Sequence, residues 1–144
     1  MGGKLELLTF ALAAAGYAGL MVAAALATRG RRLRSLMVIV AAIVVAHVVL
    51  VWDQRFDWSL ARATENGYTG VALFHAALLG IAAAPVAPAP LADRLTIASF
   101  LLVTAGASVA VFRDPAAATF RVPVLVCAGA GLVNLAAAAR RRFD

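Results

Sequence analysis

The stretch LRSLMVIVAAIVVAHVVLVW, residues 33–52, decides the fold. It carries a single charge, Arg34 near its start, and ends on a tryptophan. An α-helix rises about 1.5 Å per residue, so this stretch is long enough to cross the roughly 30 Å hydrocarbon core of a bilayer. Its residues do not alternate between apolar and polar as those of a barrel strand do, and only helices and closed barrels satisfy the backbone in lipid. The stretch therefore predicts a transmembrane helix.

Four further segments have the same character. Of the 144 residues 64% are hydrophobic and only 14% are charged, with a mean hydropathy of +0.93, which excludes a water-soluble domain of this size. We predict one all-α membrane domain over residues 1–144, a polytopic bundle of five transmembrane helices. The other four predicted spans run over about 5–28, 68–84, 95–112 and 122–139.

The connection between spans two and three is the only long one. Asp57 is suited to cap a short helix that continues through Glu65. Phe56, Leu60 and Ala63 would share one face of it. We predict a short interfacial helix on the external surface of the membrane.

Arginine placement predicts the orientation. The formal charge is +6 and the pI about 11.1, but the arginines flank apolar segments, so topology explains them better than nucleic acid does. With five spans, the two arginine clusters fall on one side, which should be the cytoplasm, leaving the N-terminus outside. The abundance of Arg, Ala, Gly and Val is typical of a GC-rich bacterial genome, so we expect a bacterial cytoplasmic (inner) membrane protein. The clusters are Arg29, Arg31, Arg32 and Arg34, and Arg140, Arg141 and Arg142.

Small residues recur every fourth position in two spans and predict faces on which helices approach closely. In span one these are Ala11, Ala15, Gly19, Ala23 and Ala27, and in span three Ala72, Ala76, Gly80 and Ala84.

Charged side chains are missing from the middle of every predicted span. This disfavours a proton- or ion-coupled transporter, and it leaves no carboxylate pair for acid–base chemistry inside the membrane. No phosphate-binding loop or nucleophile motif occurs. Cys127 is the only cysteine, so the chain cannot form an internal disulfide.

The two histidines are the candidates for chemistry. His47 precedes Trp52, at the external end of span two, by five residues, and His75 follows Tyr68, at the external start of span three, by seven. At about 1.5 Å per residue, both lie roughly 8–10 Å below the same surface, on consecutive antiparallel helices. Two such imidazoles can ligate a haem iron from both faces. We expect a b-type haem between His47 and His75.

Other residues near the external surface would complete this site. Arg55 or Arg62 would pair with the haem propionates. The aromatic cluster would line a quinone site, with Asp53 or Arg55 contacting a quinone oxygen; by default it forms an interfacial aromatic belt. The cluster comprises Trp52, Phe56, Trp58 and Tyr68.

The most concrete function is a membrane subunit of a respiratory-type electron-transfer complex. In architecture, although not in motif, the arrangement resembles the small cytochrome b anchor subunits of respiratory complexes, which hold haem with histidines on helices. Its partners would be the bilayer and other membrane subunits. Three alternatives stay open: a cofactor-free accessory subunit whose histidines only make hydrogen bonds, another metal or a chlorophyll-type pigment on one histidine, and a small transporter.

Overall fold

The computed structural model describes residues 2–65, 67–113 and 115–141, and all its regular elements are helices. The prediction of an all-α protein is therefore confirmed over this part of the chain. In chain order the helices are α1 (Gly2–Ala27), α2 (Arg34–Val51) continued by a π-helical turn (Trp52–Phe56), α3 (Leu60–Ala63), α4 (Tyr68–Ala83), α5 (Ala89–Arg113), a 3₁₀ segment (Pro115–Phe120) and α6 (Arg121–Arg140).

Four of these helical stretches are long and apolar enough to cross a membrane. They cover residues 3–27, 34–56, 89–113 and 117–140. The shorter apolar helix α4 has 16 residues. Large apolar side chains such as Ile39, Leu79 and Val133 are exposed on the outside of the bundle, as expected where lipid replaces water.

Helix α1 is central, because it packs against α2, α5 and α6, while α4 packs mainly against α5. Leu20, Val40, Ile81 and Phe100 are almost completely buried between these helices. The hydroxyl groups of Tyr17 and Thr104 lie 2.8 Å apart in this core, so a hydrogen bond joins α1 to α5.

Glycines set the closest helix contacts. A methyl group added at Gly16 would lie 2.9 Å from Val44 Cγ2, and one at Gly19 would lie 2.7 Å from Val40 Cγ2. A methyl group at Gly131 would collide with the ring of Phe100. These contacts fix how each helix is rotated about its axis.

The predicted small-residue faces are only partly the packing faces. Ala23, Gly80 and Ala84 are buried, whereas Ala11, Ala15, Ala72 and Ala76 are exposed, so those four alanines do not form helix contacts within this chain. In α4 the buried residues are Ala77, Gly80 and Ile81. Ala72 and Ala76 therefore lie on the exposed face of this helix. Larger side chains share the buried faces, and small size alone did not identify them.

The long connection contains the short helix α3, with a different cap from the predicted one. The Oγ atom of Ser59 accepts a hydrogen bond from the Arg62 backbone N–H at 3.4 Å. Asp57 instead ends the π-helical turn in the left-handed conformation, with φ of 47°. The predicted Asp57 cap is therefore wrong, because the π-helical turn extends α2 as far as Phe56.

Helix α5 begins at Ala89, before the predicted start of its span at Leu95. Proline lacks a backbone N–H, which does no harm in the first turn of a helix, and Pro90 lies there. Asp93 and Arg94 consequently belong to the first turns of α5.

Candidate functional site

His47 is fixed by a bond between two helices. Its Nδ1 atom lies 2.9 Å from the backbone oxygen of Thr9 in α1. A carbonyl oxygen can only accept, so Nδ1 carries the proton and donates. The second ring nitrogen, Nε2, therefore has a free lone pair suited to a metal ion or to a hydrogen-bond donor.

The ring of His47 lines a cavity of about 310 Å³, here called the His47 cavity. The cavity lies at the end of the bundle where α1 begins and α2 runs into its π-helical turn. Its walls also include residues of α4, the end of α5 and the 3₁₀ segment. The lining residues are Glu6, Thr9, Phe10, His47, Val51, Gln54, Arg55, Phe56, Phe74, Ala110 and Ala117.

A chain of polar contacts runs along one side of this cavity. Gln54 Nε2 donates to Thr9 Oγ1 at 3.1 Å, and Thr9 Oγ1 donates to the Leu5 carbonyl oxygen at 2.8 Å. At the rim, Arg55 Nη2 lies 3.7 Å from Glu6 Oε1. The hydrogen bonds position Thr9 and Gln54, whereas the exposed pair of Glu6 and Arg55 is held more weakly.

His75 has a different environment. Its Nδ1 atom donates to the Val71 carbonyl oxygen of the same helix at 2.7 Å, which again leaves the Nε2 lone pair available. The side chain is exposed and lies edge-on to Trp52, with ring centroids 5.8 Å apart. It borders an open groove, here called the His75 groove, lined by Val48, Val49, Trp52, Trp58 and His75.

The two histidines share one end of the bundle but do not line one cavity. On α2, Val51, Gln54 and Arg55 follow His47 on the same helix face, because residues about one or two turns apart line up. Val48, Val49 and Trp52 lie on another face of α2 and line the groove that His75 borders. The sequence predicts equal depth for the two histidines. Equal depth does not place them in one site, because the His47 cavity and the His75 groove lie on two sides of α2.

The predicted propionate partners already have carboxylate partners. Arg55 pairs with Glu6 and lies over the ring of Phe10, with its Cζ atom 5.5 Å from the ring centroid. Arg62 Nη1 lies 3.4 Å from Asp57 Oδ2, with both side chains largely exposed. Arg55 lines the His47 cavity, whereas Arg62 lies in α3, close in sequence to Trp58 of the His75 groove.

Three of the four predicted aromatic residues form a cluster. Trp52 stacks on Trp58 with centroids 6.3 Å apart and meets Phe56 edge-on at 5.7 Å. Tyr68 begins α4 and is 73% exposed. Among the residues predicted for quinone contact, only Phe56 and Arg55 line the His47 cavity.

Sequence reasoning missed Glu6, Thr9 and Gln54. The signal for Gln54 was its spacing, since it follows His47 by two helical turns. No comparable signal pointed to Thr9, because its role depends on how α1 is rotated against α2. Within the described ranges, no group of three or more His, Cys, Asp or Glu side chains is arranged to hold a metal ion by itself.

Comparison with known proteins gives no match: no family model fits the sequence, and neither a curated protein nor a solved structure is significantly similar to it.

Proposed function

We propose that this chain is a membrane-embedded subunit of an electron-transfer complex that binds a b-type haem through its histidines, His47 and His75. The observation that carries the proposal is the state of the two imidazoles. Each donates its Nδ1 proton to a backbone carbonyl oxygen and keeps the Nε2 lone pair for a ligand. A hydrogen bond of this kind orients the ring and raises its basicity in metal-ligating histidines.

The His47 cavity and the His75 groove differ in how well they suit a porphyrin. The His75 groove is open and has flat aromatic and valine walls, which suit a large planar ring. The His47 cavity is closed on more sides, and its space of about 310 Å³ suits a smaller molecule. The groove therefore supports His75 as the first haem ligand. Ligation of one iron by both histidines would require α2 to turn about its axis, because His47 and His75 lie on two sides of it. This turn would break the bond of His47 to Thr9 and move Trp52 from its contact with His75.

The exposure of His75 gives further support. An acceptor nitrogen that faces hydrocarbon without a donor or a metal is costly in free energy. His75 lies on the outside of the bundle beside exposed Val49 and Trp58. A haem in the groove would cover all three side chains and satisfy Nε2.

The same exposure favours one alternative, a cofactor-free accessory subunit. In that case a helix of a partner subunit fills the His75 groove and donates a hydrogen bond to Nε2. Small and polar residues drive such helix association in lipid. The haem content of the purified protein separates the two functions.

The finer membrane topology belongs to the same proposal. Helix α4 would be the fifth span, because its 16 residues with the turn that follows approach the minimum span length of about 17 residues. Helix α3 would lie in the external interface. Arg29 Nη2 donates to Asn134 Oδ1 at 3.1 Å, which places the first arginine cluster beside the last turns of α6. A common cytoplasmic side for both clusters is therefore geometrically consistent, although Arg142 lies outside the described residues.

Two experiments test this function and topology. Haem content per protein should approach one in the wild type and fall to background in the His47→Ala/His75→Ala double variant. Reporters fused to the two termini should lie on opposite sides of the membrane, because the number of spans is odd. A wild type without haem, expressed with haem supply, would leave the accessory-subunit alternative. Termini on the same side would exclude five spans.

A further inference from the structure

The His47 cavity has the chemistry of a site for a small neutral ring, and we infer that it binds the head group of a quinone or quinol. This inference depends on the chain being a membrane protein. It applies to the haem-free protein and to a haem held by His75 alone, because an iron bound to His47 Nε2 would take the lone pair that the quinone head group needs.

The cavity has the volume for one ring. Its volume of about 310 Å³ is at the lower end of the range for ligand sites, roughly 300–1,000 Å³. Phe10, Phe56 and Phe74 supply aromatic walls, and Ala110 and Ala117 keep the space between them open. Aromatic walls with small residues between them favour a flat ligand over a branched one.

The polar groups suit oxygen atoms on such a ring. The Nε2 atom of His47 is able to accept a hydrogen bond, because Nδ1 is the donor to Thr9. At the rim, Arg55 is paired with Glu6, and a guanidinium group has five N–H groups with which to donate. A quinol hydroxyl suits His47, and a quinone oxygen suits Arg55. Gln54 and Thr9 bond each other and hold this side of the cavity in place.

Among the described lining residues, the charge balance favours a neutral ligand over an anion. Glu6 and Arg55 line the same cavity and lie within 3.7 Å of each other, so their charges offset. A site for phosphate or carboxylate would present an excess of positive charge. A quinone carries no charge and needs only an acceptor and a donor.

Position in the bundle fits a lipid-borne ligand. The cavity lies at the end that carries Trp52 and Trp58, the two tryptophans of the chain, and tryptophan marks the membrane–water interface. A quinone head group at this depth leaves its apolar tail in the hydrocarbon region.

The test is a titration of haem-free protein in lipid nanodiscs with decylubiquinone, read by quenching of tryptophan fluorescence. Trp52 follows Val51 of the cavity wall, so a bound quinone is close enough to quench it. The wild type should show saturable quenching. Ala110→Leu, which fills the cavity, and His47→Phe, which removes the acceptor, should each weaken the apparent affinity at least tenfold.

A matched control separates binding in the His47 cavity from unspecific partitioning of the quinone into lipid. Val109→Leu adds a methylene group beside Ala110 on the exposed outside of α5 and should leave the affinity unchanged. Quenching that rises linearly with quinone in the wild type, or equal affinity in Ala110→Leu and Val109→Leu, would overturn the inference. Saturable binding by a protein that never takes up haem would support the inference and reject the haem.

Discussion

The Nδ1 atom of His47 and the backbone oxygen of Thr9 are 2.9 Å apart, so a histidine of α2 is bonded to the backbone of α1. The corresponding bond of His75 stays within α4, to Val71. The two histidines therefore differ in what they contribute to helix association. The difference has a measurable consequence in the haem-free protein.

We predict that His47→Ala destabilises the haem-free bundle more than His75→Ala does. Hydrogen bonds between membrane helices contribute about 0.6 kcal/mol on average and up to about 1.7 kcal/mol. His47→Ala should cost a free energy of unfolding in this range, whereas His75→Ala should cost less, because it breaks no bond between helices. Unfolding in mixed micelles measures both variants. Equal losses would show that the bond to Thr9 does not tie α1 to α2.

The close contact between Gly131 and Phe100 predicts that a larger residue at position 131 lowers the stability of the bundle. The ring of Phe100 is fully buried, and a methyl group at position 131 would collide with it. Gly131→Ala should lower the free energy of unfolding by about 1–3 kcal/mol, the usual cost of overpacking. Gly129→Ala is the matched control, because nothing lies within 4 Å of the added methyl group. Thermal unfolding of both variants in detergent measures the difference.

A second substitution, made in the Gly131→Ala background, tests the same contact. Phe100→Leu shortens the side chain that blocks position 131 and should restore part of the stability lost in Gly131→Ala. An additive loss in the double variant would mean that the two residues do not meet as described.

The hydroxyl groups of Tyr17 and Thr104, 2.8 Å apart, predict a third effect. Tyr17→Phe removes the hydroxyl and keeps the ring that stacks on Phe100 at a centroid distance of 5.9 Å. In a double-mutant cycle with Thr104→Val, the coupling energy should be about 0.6–1.7 kcal/mol. Coupling indistinguishable from zero would mean that α1 and α5 are not joined at this point.

At the opposite end of the bundle, the hydrogen bonds of Arg32 predict that its removal lowers stability. Its Nη2 atom donates to the carbonyl oxygens of Ala84 and Ala87, at 2.9 and 3.0 Å, and so joins the first connection to the end of α4. Arg32→Ala should cost about 1.5–3 kcal/mol of unfolding free energy, as expected for a hydrogen bond from a charged donor. Arg31→Ala is the matched control, since Arg31 is exposed beside it. Chemical unfolding in detergent compares the two, and equal effects would contradict a specific role for Arg32.

The sequence predicted the all-α class of fold, because it follows from the length of the apolar segments and the helical rise. It did not predict the rotation of each helix. That rotation depends on close contacts such as Gly16 with Val44 and Gly19 with Val40, which no pattern within one helix contains. For the same reason His47 and His75 lie in two hollows, although the sequence places them at one depth.

The site itself was predictable only in part. The two histidines and Arg55 stood out as polar residues in or beside apolar spans. Thr9 and Glu6 did not, because a threonine and a glutamate near the start of a helix have many ordinary roles. Only the packing of α1 against α2 brings them to the His47 cavity.

The most direct test of the central proposal is the absorption spectrum of the purified protein, oxidised and then reduced with dithionite, for the wild type and for His47→Ala and His75→Ala. Binding of a b-type haem by both histidines predicts the sharp reduced α-band of a six-coordinate haem in the wild type. It also predicts loss of that band in each single variant. A protein that stays colourless after expression with haem supply, or one whose band persists in both variants, would contradict the proposal.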